Sequence, residues 1–314
     1  MRIVIALGGN AMTSADGRAT PEDQQAAIRE AAGPIADLVA RGHEVLLTHG
    51  NGPQVGNLLV KNELTAGEVP PVPLDWCGAQ TQGTIGMLML SALDDAFAQR
   101  GVDRRAAALV SRTLVAADDP GFAHPTKPIG RYLTAEATAP LRERGQSFVE
   151  VEGRGWRRVV SSPRPLDCLD APAADQLMRA GFVVVCSGGG GIPTVREADG
   201  RLSGVEAVID KDLTAALIAR QVEADVLIIA TDVDAVVADW GTDRARPIGH
   251  VTVEEMRSIA AEQGFAEGSM GPKVEAVVSF ADSGLGPGVI TSLAKIADAV
   301  DAEAGTRVVR ATDA

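Results

Sequence analysis

The opening stretch MRIVIALGGN, residues 1–10, runs through a short apolar segment and stops at a pair of glycines. The segment Ile3–Leu7 is continuously apolar and rich in β-branched residues, with no polar face. Such a run fits a strand buried on both sides, and the glycines after it fit a tight turn. It is too short, and too quickly broken by glycine, to read as a secretory leader. The same pattern returns as EVLLT (44–48), AAALV (106–110), FVVVC (182–186) and VLIIA (226–230), and as the short segments GVI and RVV near the end. Helical periodicity lies between most of them, at 21–41, 75–100, 210–221, 252–263, 271–284 and 292–302. Alternating strands and helices predict an α/β fold with a central, mainly parallel sheet covered by helices on both faces.

Two stretches interrupt this rhythm. Residues 111–165 carry proline, glycine and charge, a predicted helix at 134–143, and the hairpin pattern SFVEVEGRGWRRVVSS with EGRG at its turn. They read as an inserted α+β subdomain protruding from the sheet. The segment PTVREADGRLSGVEAV places Asp199-Gly200 at a second hairpin turn. The boundary between an N-terminal lobe, 1–205, and a C-terminal lobe, 206–314, falls just beyond it. The helix segment GTIGMLMLSAL (83–93) is more apolar than one buried face requires. A core helix is its first reading and a homodimer interface the second.

Bulk properties exclude several classes. The 314 residues carry a net charge of −13, with only three tryptophans, one tyrosine and six phenylalanines. An acidic surface with few stacking platforms argues against nucleic acid as a partner. No apolar run reaches the ~20 residues of a membrane span. Cys77, Cys168 and Cys186 are scattered without metal or disulfide spacing, and a cytoplasmic location is expected. His43, His49, His124 and His250 form no HExxH or Cys/His cluster, so no resident metal site is predicted.

The chemistry shows in glycines and lysines. Glycine-rich turns Gly8-Gly9-Asn10, Gly50-Asn51-Gly52-Pro53 and Gly188–Gly191 follow predicted strands, and Gly268-Ser269-Met270-Gly271 precedes Pro272. In an open parallel sheet, ligands bind outside the carboxyl ends of the strands, where glycine lets backbone approach an anion. None of these turns matches a P-loop or a dinucleotide fingerprint. Lys273 falls in the first turn of a helix predicted to begin at Pro272, where the positive end of the dipole disfavours a cation. It reads either as a solvated lysine or as one sharing an anion with the helix terminus, compensated only when the site is filled. Lys211, between Asp210 and Asp212, reads as incidental to a capped helix start or as a lysine held by two carboxylates. Lys127, between Pro125 and Pro128, reads as a loop lysine or as a positioned one. Clustered cations, backbone amides and Mg²⁺, with little covalent chemistry from the protein, are what phosphoryl transfer requires.

The motifs ALGGNA (6–11), THGNGPQVGNLL (48–59), PLDWCGAQTQGTIG (73–86), HPTKPIG (124–130), GRGWRRVVSSPRP (153–165), SGGGGIP (187–193), GVEAVIDKD (204–212), TDVDAV (231–236) and GSMGPK (268–273) resemble the carbamate kinases of the amino acid kinase superfamily. They follow that family's order over nearly the whole chain. The resemblance implies ATP + carbamate ⇌ ADP + carbamoyl phosphate, run toward ATP at the end of arginine or ureide breakdown. It also implies a three-layer αβα sandwich, a protruding subdomain, a homodimer, and Mg²⁺ with ATP or ADP. By the same resemblance, Gly8, Gly9, Asn10, Gly50, Asn51 and Gly52 would cradle carbamate and the transferring phosphoryl. Lys211 and Lys273 would stabilise phosphates, Asp210 and Asp212 would orient the lysines, and Lys127 would reach over the acceptor. Asp232, Ser269, Met270 and Trp240 would contact the nucleotide. Trp240 enters because Val237 stands where many members of the family carry tyrosine. Superfamily relatives often place a lysine where Ala6 stands, and Lys127 is its natural substitute. The alternatives are a kinase for another small carboxylate and a catalytically silent nucleotide sensor.

Overall fold

The computed structural model describes residues 1–8, 20–265 and 269–311. The chain begins β1 (Arg2–Leu7), α1 (Pro21–Ala40), β2 (Glu44–His49), α2 (Gly52–Thr65), α3 (Leu74–Arg100) and β3 (Arg105–Ala108). It continues through β4 (Arg112–Leu114), α4 (Pro120–Ala123), β5 (Lys127–Leu133), α5 (Ala135–Arg142), β6 (Ser147–Val151) and β7 (Gly155–Val160). Next come β8 (Asp167–Cys168), α6 (Ala171–Arg179), β9 (Phe182–Val185), β10 (Ile192–Arg196), β11 (Leu202–Gly204), α7 (Lys211–Gln221) and β12 (Val226–Thr231). The last part holds β13 (Val237–Ala238), β14 (Arg246–Pro247), β15 (His250–Thr252), α8 (Val253–Gln263), α9 (Met270–Asp282), β16 (Gly288–Ser292), α10 (Ile296–Val300) and β17 (Thr306–Val309).

Strand β1 lies inside an eight-stranded sheet because it has no polar side to offer water. Ile3, Ile5 and Leu7 pack into one core layer and Val4 and Ala6 into the other, the period-two division of a doubly covered strand. Strand β12 splits the same way, with Val226, Ile228 and Ala230 opposite Leu227 and Ile229. One core layer takes its helical half from α1, α3 and α10, and the other from α6, α7, α8 and α9. The order across the sheet is β15-β17-β16-β12-β1-β2-β9-β3. Pairing is parallel from β16 through β3, and β17 runs antiparallel to β16. This is the expected three-layer αβα sandwich. No helix among the described residues is long and apolar enough to cross a membrane.

A three-stranded antiparallel sheet, β5-β7-β6, carries α5 and protrudes from this body. Its own small core includes the Arg142 guanidinium stacked 4.6 Å over the Trp156 ring, an attraction of the cation–π kind. The patch Val55, Leu59, Leu74, Cys77, Ile129 and Val160 joins it to α2 and α3. The hairpin around Asp199-Gly200 forms as expected and belongs to a second, four-stranded sheet, β11-β10-β4-β8.

Three details differ from the sequence reading. The helix of GSMGPK begins at Met270, two residues before Pro272, because Met270 packs onto the core and a first-turn proline lacks only an N–H that has no intrahelical acceptor. Helices α2, α4 and α6 are additional to those expected. The C-terminal helix is shorter than 292–302, since Leu293–Lys295 form a turn of 3₁₀ helix before α10.

Candidate active site

Strands β12, β1 and β2 lie side by side and parallel, so their carboxyl ends open onto one crevice of about 1080 Å³. Its walls include Gly8 after β1, Gly50, Asn51 and Gly52 after β2, and Asp232 after β12. The backbone N–H of Gly8 donates to Ala230 O at 3.0 Å and that of Gly50 to Leu7 O at 3.0 Å. Those two amides are therefore spent on sheet closure. The groups available to an anion are the first-turn N–H groups of α2, which have no intrahelical acceptor. Gly9 and Asn10 lie outside the described residues, as does Gly268.

The three candidate lysines converge on the crevice, and two carboxylates organise them. Asp210 is the N-cap of α7: its Oδ1 accepts from Asp212 N at 2.9 Å and Leu213 N at 3.3 Å. Its Oδ2 accepts from Lys127 Nζ at 2.7 Å. The capping and lysine-holding roles thus coexist in one side chain, one oxygen each. Asp212 accepts from Lys211 through one oxygen and from Lys273 through the other, at 3.0 Å for Lys273. Lys211 is hydrogen-bonded to Asp212 and not to Asp210, so the carboxylate is shared by two lysines where the sequence suggested the reverse.

Asp212 is 3% exposed. Burial pushes its carboxyl up, but Lys211 and Lys273 more than offset this and hold it below the usual range. Burial pushes the Lys211 ammonium down, with Lys273 adding to the effect, while Asp212 opposes it. Asp212 also resolves the unfavourable position of Lys273 in the first turn of α9: a fixed carboxylate, rather than only a bound anion, compensates the lysine.

Behind the β2–α2 turn lies Gly188–Gly191, a tight turn after β9. A Cβ on Gly189 would fall 2.1 Å from Asn51 Nδ2, and its φ of +67° suits glycine. A Cβ on Gly188 would meet His49 Nε2 at 2.2 Å. These glycines admit the β2–α2 turn, and only Gly189 reaches the crevice wall. Asn51 is buried and donates to Thr81 Oγ1 at 2.9 Å, which fixes the turn against α3. Gln82, on α3, donates to Ser111 O and Gly188 O, tying the glycine turn after β9 to the same helix.

Ser269 and Lys273 line the crevice, while Met270 packs into the core beside it. Trp240 is 74% exposed, on the ribbon of β13 and β14, and is not part of the crevice wall. Two arginines absent from the sequence reading, Arg131 and Arg157, face the crevice from β5 and β7. Their signal was their place beside Lys127 in the protruding sheet.

Residues 1–292 match the amino acid kinase family. Carbamate kinase of Thermococcus kodakarensis is 43% identical over 315 residues, covering 98% of this chain and 99% of that protein. The chain belongs to the carbamate kinases of that family. Among solved structures, carbamate kinase from Giardia lamblia bound to AMP-PNP superposes with a TM-score of 0.92 at 38% identity, covering 98% of each chain. A crystal structure from Aeropyrum pernix K1 gives 0.94 at 39% identity, covering 99% of this chain and 100% of that one. Carbamate kinases are ATP-dependent phosphotransferases, and the lysine-lined crevice is where such chemistry fits this chain.

Among the described residues, no group of three or more His, Cys, Asp and Glu could hold a metal ion. The carboxylates of Asp210 and Asp212 are already hydrogen-bonded to lysines. This donor set suits Mg²⁺ that enters on nucleotide phosphates, not a resident ion in an all-protein cage.

Proposed function

We propose that the crevice transfers a phosphoryl group reversibly between ATP and carbamate, and that it runs toward ATP from ADP and carbamoyl phosphate. The observation carrying this reading is the convergence of Lys127, Lys211 and Lys273 at the carboxyl ends of β12, β1 and β2, ordered by Asp210 and Asp212.

The acceptor side lies at the start of α2, where Asn51, Gly52 and the helix terminus attract an anion, with Gly8 and Gly50 bounding the space. Gly9 and Asn10 extend this side in the proposal. The nucleotide side lies against α7, α9 and Asp232, within residues 206–314, and Ser269 borders it. Met270 backs that side from the core, and Trp240 is assigned to the adenine end from outside the wall. Residues 1–205 then form the acceptor lobe and include the protruding subdomain. As the phosphoryl moves, negative charge spreads over its oxygens, and lysines fixed beforehand stabilise it without reorganising. Asp212 holds Lys211 and Lys273 in place and limits their mutual repulsion. Lys127 supplies the third cation from β5, in place of the lysine that superfamily relatives carry where Ala6 stands, so turnover includes closure of the subdomain. Mg²⁺ carried in on the nucleotide would neutralise phosphate charge beside the lysines. We also assign a homodimer, with the exposed side of α3 around Trp76 and Met87 facing the second copy.

The deciding experiment is ATP formation by the purified protein from Mg-ADP and carbamoyl phosphate, with acetyl phosphate alongside. Fast turnover that prefers carbamoyl phosphate supports the assignment. ADP binding with no ATP from either donor would sink it and leave a silent nucleotide sensor.

A further inference from the structure

The chain carries a net charge of −13, so a phosphate-bearing substrate approaching it meets repulsion that local cations must overcome. In the crevice, Lys127, Lys211 and Lys273 are each already paired with Asp210 or Asp212. Arg131 lies 3.7 Å from Glu63. Among the described residues lining the crevice, Arg157 is the one cation without a carboxylate partner.

The fold holds this side chain in place. Across β5 and β7, Tyr132 pairs with Arg157 and Ile129 pairs with Arg158, so Gly130 and Arg131 are extra residues on β5. Such a bulge bends its strand and re-aims its groups, and Gly130 sits in it with a φ of +70°. Arg157 Nε donates to the Gly130 carbonyl oxygen at 3.3 Å. The guanidinium carbon of Arg157 lies 5.3 Å from the centre of the Tyr132 ring, an attraction of the cation–π kind. Nε is thus spent on the bulge, and no carboxylate claims the two terminal nitrogens. The bulge is seated on α2: a Cβ on Gly56 would fall 3.2 Å from Gly130 Cα. The anchor of Arg157 therefore belongs to the α2 side of the crevice.

We propose that Arg157 grips the phosphate of carbamoyl phosphate through both terminal nitrogens, and sets affinity for that substrate rather than for nucleotide. The choice of ligand rests on the acceptor side assigned above to the start of α2. A guanidinium fork matches two phosphate oxygens at once, which an ammonium group does not. The bound substrate then bridges the protruding sheet to the first turn of α2.

The test is calorimetric titration of the full chain with carbamoyl phosphate in the absence of nucleotide, and separately with Mg-ADP. The unaltered protein is expected to bind both. Arg157→Met should weaken carbamoyl phosphate roughly 10–100-fold, the scale of hydrogen bonds to a charged group, and leave ADP affinity and Tm unchanged. Its KM for carbamoyl phosphate should rise by a similar factor, with a smaller change in kcat. Arg157→Lys keeps the charge without the fork and should recover only a small part of the loss. Arg154→Met removes an exposed cation 6.0 Å from the same Tyr132 ring but outside the crevice wall, and should change neither affinity. An arginine that merely braces the bulge would instead show a lowered Tm and weakened binding of both ligands. No binding of carbamoyl phosphate by the unaltered protein, unchanged affinity in Arg157→Met, equal weakening of ADP, full recovery in Arg157→Lys, or the same loss in Arg154→Met would each overturn the proposal. ATP formation by the unaltered protein reports separately on the reaction. Binding that depends on Arg157 with no ATP formed would sink the reaction and uphold the arginine as the phosphate grip.

Discussion

Lys127 Nζ lies 2.7 Å from Asp210 Oδ2, while the other oxygen of the same carboxylate caps helix α7. The cation on the protruding subdomain is therefore referenced to the helix whose first residue is Lys211. A shift of the subdomain moves Lys127 relative to Lys211 unless that hydrogen bond holds or exchanges for one to substrate. Position and mobility of the third cation are governed at a single carboxylate.

This division of labour separates two substitutions. Lys127→Ala should lower kcat by roughly 10²–10³-fold, the scale of losing one preorganised electrostatic donor, with nucleotide affinity little changed. Asp210→Ala should lower kcat as well and also cost about 1 kcal/mol of stability through loss of the cap. Steady-state kinetics and urea unfolding on both variants check this. Equal losses of kcat and nucleotide affinity in Lys127→Ala would show that the lysine acts in binding instead.

Asp212 serves two lysines from a buried position, so removing it should do more harm than removing either lysine. Asp212→Ala leaves two neighbouring ammonium groups unpaired and should destabilise the protein by roughly 3–5 kcal/mol, as breaking buried pairs does. Lys273→Ala leaves the Asp212–Lys211 pair intact and should cost far less. Its mark should be a smaller rise in Tm on adding Mg-ADP than the unaltered protein shows. Thermal unfolding with and without nucleotide reads both effects, and an undiminished shift in Lys273→Ala would remove Lys273 from the nucleotide site.

The strands were the most legible part of the sequence. Segments such as Ile3–Leu7 and Val226–Ala230 are apolar on both faces, and only a strand inside a covered sheet satisfies that. Helix α2 was hidden because it opens on Gly52-Pro53, which reads as a turn, and carries Gln54, Asn57 and Asn62 among its apolar positions. The candidate lysines could be picked from local anomalies, but their partners could not. Lys127 and Asp210 are 83 positions apart, and the sharing of Asp212 depends on how α9 packs against α7. The glycines of 188–191 looked like phosphate cradles in the sequence. Three of the four are required instead by close contacts with His49, Ile209 and Thr113, which no local pattern announces.

The crowding at Gly189 leads to a specific defect. Its φ of +67° and the 2.1 Å approach of a Cβ to Asn51 Nδ2 mean that Gly189→Ala must displace Asn51 from Thr81. The strain alone is of order 1–3 kcal/mol. The variant should fold less stably and lose affinity for carbamoyl phosphate more than for ADP, because Asn51 stands at the start of α2. Comparable weakening of both ligands would mean the displacement spreads through the whole crevice.

His49 provides a pH signature. It is fully buried, its Nδ1 donates to Gly50 O at 2.9 Å, and its pKa is lowered to about 4, by burial first and by the charge of Lys211 as well. The unfolded chain titrates this group near the ordinary 6.5, so between 6.5 and about 4 the unfolded state binds the extra proton. Stability should be fully present above the unfolded value and fall as pH drops through that window. The contribution of this one residue is roughly 3 kcal/mol, from the size of the shift. Urea unfolding of the unaltered protein and of His49→Asn across the window checks it: the variant should be less stable at neutral pH yet lose less on acidification. An identical slope in both would place the acid sensitivity on other groups.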